Sequence, residues 1–124
     1  MKRLILPVLL VAGLLFATGA FAQQTVKVDR SFSVTLTDQI LQQKTVDLDI
    51  SGLQFKDAAT AEKFFHAIAN NLIDYSVDYG AKKVTMHLYP ERLNGQSWTV
   101  ENWNEYMSLS SKQSASTYNA FNNQ

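Results

Sequence analysis

In a chain without cysteine, two histidines and eleven Asp and Glu residues are the candidate metal ligands and proton carriers. His87 sits in Val84-Thr85-Met86-His87-Leu88-Tyr89, where apolar and polar residues alternate. Such alternation places His87 on the polar face of a strand with Thr85 and Tyr89. Asp47 and Asp49 take the polar positions of Val46-Asp47-Leu48-Asp49-Ile50, and Ser76 and Asp78 those of Tyr75-Ser76-Val77-Asp78-Tyr79. If these strands share a sheet, His87 with Asp47, Asp49 and Asp78 could hold a hard or borderline divalent ion, or another small ligand, at the open face. The plainer expectation is a solvated face kept polar by alternation. Neither histidine lies in a ligand motif such as His-Glu-x-x-His. The leading expectation is therefore no metal and no cofactor.

Catalytic patterns are equally sparse. His66 falls off the apolar stripe of its helix, where Glu62 four residues earlier gives it a surface partner. No serine stands in Gly-x-Ser-x-Gly or Ser-x-x-Lys, and no glycine-rich loop could cradle a phosphate. Asp47 and Asp49 could share a proton only if buried. The reading is a protein that is not an enzyme. Aromatic residues are the other chemical resource: Tyr89, Trp98, Trp103, Tyr106 and Tyr118 gather in the last third. Trp103 is expected in the core. Trp98, Tyr89 and Phe55 are the candidates for contact with a partner, because Trp and Tyr dominate protein interfaces; Phe55 could instead be a buried plug.

Positioning these residues takes a small α+β domain. Val26, Val28, Phe32, Val34 and Leu36 alternate, so Thr25–Thr37 is expected to be a first strand, bent near Arg30. Val46–Ile50 reads as a second. Ala58, Ala61, Phe65, Ile68 and Leu72 follow helical steps, flanked by Phe64 and Ala69, with Asp57 at the positive end of the helix. Tyr75–Tyr79 and Val84–Leu88 form a hairpin closed by Pro90. Thr99 is expected to cap a last helix carrying Val100, Trp103 and Met107. Residues 111–124 are rich in serine and asparagine and read as a polar, mobile tail.

The amino terminus reads as a signal peptide over residues 1–22: Lys2 and Arg3, an apolar run too short to span a bilayer, then Ala20-Phe21-Ala22. The expected domain then covers residues 23–110. Eleven basic residues balance eleven acidic ones in the full chain, and loss of Lys2 and Arg3 would leave two net negative charges. That balance argues against nucleic acid, which demands a basic surface. No other segment approaches membrane-spanning length. With no cysteine there is neither a disulfide nor a lipid-bearing cysteine, so the mature protein is expected free in the periplasm or secreted.

The segments Val46-Asp47-Leu48-Asp49-Ile50-Ser51-Gly52-Leu53, Tyr75-Ser76-Val77-Asp78 and Lys82-Lys83-Val84-Thr85-Met86, with the helix between them, resemble a heavy-metal-associated (HMA) domain over roughly residues 45–107. The resemblance implies a ferredoxin-like split βαβ sandwich: an antiparallel sheet with two helices on one face. The Thr25–Thr37 strand would be an extra N-terminal strand, antiparallel to Val46–Ile50. Family members bind soft cations through Gly-Met-x-Cys-x-x-Cys. Here Gly52-Leu53-Gln54 is followed by Phe55 and Ala58 where the thiols would fall, so soft-metal transfer by thiolates is excluded. The expectation is an exported, non-enzymatic domain that acts by contact with another protein of the bacterial envelope.

Overall fold

The computed structural model describes residues 24–122. The expected signal peptide lies outside the described residues. The elements are β1 (Thr25–Lys27), α1 (Asp38–Gln43), β2 (Thr45–Asp49), α2 (Ala58–Ile68), β3 (Ile73–Asp78), β4 (Lys83–Leu88), a 3₁₀ turn (Pro90–Leu93) and α3 (Val100–Asn122). The chain is α+β, with one mixed sheet in the order β1-β2-β4-β3. Apolar alternation decides which sheet face is covered: Val46, Leu48, Ile73, Val84, Met86 and Leu88 are all buried. Helix α2 packs on β3 and on α3.

Each helix starts where a side chain replaces a missing backbone partner. Asp57 caps α2 by accepting from Thr60 N at 2.8 Å and from Thr60 Oγ1 at 2.7 Å. Thr99 and Asn102 cap α3 reciprocally, each side chain accepting from the other's backbone N–H at 3.1 Å. The Thr60 hydroxyl and backbone amide hold the Asp57 carboxyl below its ordinary value of 3.8. A depressed carboxylate contributes stability above its unfolded value and loses it as the pH falls through the folded one. Asp57→Ala should therefore melt below the parent at pH 7, and the gap should close below about pH 4. Thermal melts across that range test it; a gap unchanged at pH 2 would contradict the assignment.

Two expectations are corrected by the backbone. The first strand is only Thr25–Lys27 and runs parallel to β2, with Thr25 opposite Asp47 and Lys27 opposite Asp49. It ends because Asp29 draws the chain into a turn: its Oδ1 accepts from Ser31 N at 2.9 Å, and Phe32 takes a φ of 56°. The alternation from Val28 to Leu36 is real as burial, since Val28, Phe32 and Leu36 are all in the core. It is not strand pairing. Residues 28–44 thus form the whole connection, long enough for a parallel crossover, whereas a short connection favours antiparallel strands.

The second correction concerns the expected tail over residues 111–122, residues 123 and 124 lying outside the described residues. Helix α3 continues to Asn122, and Tyr118 is 1% exposed. Trp103, Met107, Ser114 and Tyr118 keep to one helical stripe, so small serines form part of the packed face rather than a loose end. Exposed hydroxyls are absorbed locally, Ser111 donating to Ser108 O and Thr117 to Gln113 O. Two α3 side chains also substitute for backbone partners. Asn104 accepts from Leu36 N at 2.7 Å and donates to Leu36 O at 3.0 Å. The Tyr118 hydroxyl accepts from Gln54 N at 2.7 Å and donates to Gln54 O at 3.2 Å. Both loops so held lack sheet partners of their own.

Candidate functional site

The open sheet face is a grid fixed by strand register. One row runs Lys27, Asp49, Lys83, Asp78; the next runs Thr25, Asp47, Thr85, Ser76; a third joins Thr45, His87 and Asp74. The four candidate ligands share this face but are each engaged differently. Asp47 accepts from Thr85 Oγ1 at 3.0 Å. The Asp49 carboxyl accepts from Ser51 N at 2.9 Å, and that backbone bond, the Ser51 hydroxyl and Lys27 hold it below its ordinary value. Asp78 accepts from Ala81 N at 3.3 Å in the hairpin turn. His87 Nε2 lies 3.3 Å from Ser76 Oγ. Among the described residues, no group of three or more His, Asp or Glu side chains is placed to hold a metal ion.

Sequence reasoning did not pair Ser76 with His87. The two are a hydroxyl and a base within reach, and Asp74 stands opposite His87 in the register. Those residue types make a hydrolytic triad only with oriented donors for a developing oxyanion. On a strand face the backbone N–H groups lie in the plane of the sheet and point along the ladder, away from these side chains. Asp74 is also committed elsewhere: its Oδ2 accepts from the Tyr89 hydroxyl at 2.8 Å. That bond is the main reason the Tyr89 hydroxyl is held above its ordinary range. The surface can pair charges and donate hydrogen bonds, and Ser76 lies exposed on it.

The aromatic candidates separate. Phe55 is 9% exposed and rings with Phe64, Phe65, Tyr79 and Tyr118 at centroid distances of 5.4–6.4 Å. The expectation of Phe55 as a contact residue is corrected: its side chain fills the core as a plug, because the Gln54 backbone is clamped to α3 and turns Phe55 inward. Tyr89 is half-buried, with Arg92 4.0 Å above its ring. Trp98 is half-buried against Trp103 at 5.0 Å and Tyr106 at 5.5 Å. It walls a groove of about 500 Å³ with Asn102, Glu105, Tyr106 and Leu109. Leu109 is 65% exposed, the sole large aliphatic so placed among the described residues. Leu109 went unremarked in the sequence, yet it lies off the Trp103–Met107 stripe and its exposure was legible there.

A second groove, of about 620 Å³, runs along the outer edge of β3, walled by Glu62 and His66 of α2, by Ala69 just after that helix, and by Tyr75 and Val77. The half-buried Tyr75 hydroxyl is held above its ordinary range by burial, reinforced by neighbouring Tyr106. No helix among the described residues is long and apolar enough to cross a membrane. No family model, curated protein or solved structure matches this chain.

Proposed function

We propose that the chain is an exported, non-enzymatic domain of the bacterial envelope that works by binding another protein, on a ferredoxin-like plan similar to HMA domains without their thiolates. The plan is supported by β2, α2 and β3 forming a split unit with β4 between the two strands and antiparallel to both. β1 stands where that plan has its fourth strand, though parallel to β2. Absence of thiols at Phe55 and Ala58 removes the soft-metal chemistry of such domains.

The observation that carries the contact reading is the Trp98–Tyr106–Leu109 surface. It joins a large aromatic, a hydroxyl-bearing ring and an exposed leucine over one face of α3, the composition of an interface centre. A photo-crosslinking residue at position 109 should give a discrete adduct with a second protein in the envelope. Trp98→Ala should abolish that adduct, at some cost in stability because Trp98 also packs on Trp103 and Tyr106, with the fold checked by circular dichroism at the crosslinking temperature. A crosslink pattern without a discrete adduct, or one indifferent to Trp98→Ala, would overturn the reading.

A further inference from the structure

We propose that the outer edge of β3 is a docking site for an extended peptide segment of another protein, one with basic residues four positions apart and apolar residues between. The argument starts from ladder parity. Leu88 N donates to Lys44 O and Ile50 N to Lys82 O, so even-numbered residues of β4 turn their backbone groups to β2. Odd-numbered residues of β4 turn theirs to β3, where they meet Asp74, Ser76 and Asp78. Tyr89 N donates to Leu72 O, which fixes the same parity from the β3 side. Backbone groups of Ile73, Tyr75 and Val77 therefore point outward. Asn70 satisfies Ile73, its side chain accepting from Ile73 N at 3.0 Å and its own N–H donating to Ile73 O at 2.8 Å. Tyr75 and Val77 are left as the open pairing positions of an edge strand.

The groove between α2 and β3 gives an added strand room for alternate side chains, against Tyr75, Val77 and Ala69. Its other side chains would lie on the open face beside Asp74, Ser76 and Asp78, at the closely spaced positions of an antiparallel pair. Charge selects what they are. The row Lys27, Asp49, Lys83, Asp78 alternates in sign across the sheet, so the next place beyond Asp78 calls for a cation. The inner side of β3 already shows the matching pattern: β4 sets Lys83 opposite Asp78, Thr85 opposite Ser76 and His87 opposite Asp74, with Val84 and Met86 between. A second copy of this chain fits less well. Full overlap of two β3 edges centred on Ser76 would set each Asp74 opposite the Asp78 of the other copy, which is repulsive.

The probe is a capped peptide containing Lys-Val-Thr-Val-Lys, titrated into the full-length mature domain and followed by amide exchange. The amides of Tyr75 and Val77 should gain protection, and a Glu-Val-Thr-Val-Glu peptide should bind about tenfold more weakly at low salt. Asp78→Lys, which leaves Asp74 in place, should erase that preference; Val77→Pro, which removes an outward donor and none of the donors that face β4, should abolish binding while the β3–β4 ladder stays protected. Trp98→Ala should leave binding intact, which keeps this site distinct from the α3 surface. Unchanged exchange at Tyr75 and Val77 under saturating peptide would overturn the proposal. So would protection at Leu109 instead, or a peptide-free dimer protecting the same two amides.

Discussion

Phe64→Ala should cost about 3–5 kcal/mol and lower the melting temperature by roughly 15–30 °C. Phe64 has no exposed surface, and its ring meets Phe32, Phe55, Phe65, Tyr118 and Phe121 at 5.0–5.9 Å. It is the one ring that touches all the others of this cluster, which joins the 28–37 segment, the loop after β2, α2 and α3. Removing it opens a void that rigid backbone on four sides cannot close. A domain of this size holds about 5–15 kcal/mol in total, so the variant should sit near the edge of folding at 37 °C. Phe65→Ala, beside Tyr75 and Phe55, is the milder neighbour for comparison. Equal melting of Phe64→Ala and the parent would mean that the aromatic cluster is looser than drawn.

Ending the chain after Ser110 should abolish the cooperative transition altogether. The deletion removes Ser114 and Tyr118 from the core, and with Phe121 uncovers one side of Phe32, Phe55 and Phe64. It also frees both backbone groups of Gln54. Tyr118→Phe isolates the second effect, since the ring stays and only the hydroxyl goes; about 1–3 kcal/mol should be lost. Calorimetry of the two variants separates packing from hydrogen bonding. A truncated chain with a sharp, parent-like transition would restore the mobile tail expected from composition.

What the sequence made legible follows how each signal arises. Alternation in Val46–Ile50 and Val84–Leu88, and helical spacing around Ala61 and Phe65, report burial on a regular element, and both were placed correctly. The same alternation from Val28 to Leu36 reports burial without pairing, because a segment pressed against a core also buries every second residue. Asp29-Arg30-Ser31 was the available sign that the ladder breaks. Serine richness hid the end of α3: polarity says nothing against a helix whose small side chains, such as buried Ser114, fit into its packed face. The steps from Met107 to Ser114, Tyr118 and Phe121 carried the phase, and weighing Tyr118 by position rather than composition would have found it. The open-face candidates Asp47, Asp49, Asp78 and His87 were legible as a face. Their separate hydrogen bonds were not, since those depend on register.

The two places where α3 side chains stand in for backbone partners have a consequence for the order in which the chain assembles. Leu36 meets Asn104 across 68 positions, and Gln54 meets Tyr118 across 64. Such contacts repay their loop-closure entropy only late, after local hairpins and helices have formed. Until the first turn of α3 has left the ribosome Leu36 lacks Asn104, and until its later turns have followed Gln54 and Phe55 lack Tyr118. The nascent domain therefore stays open until α3 has emerged. A domain built this way is threadable before α3 is made, and rigid only after.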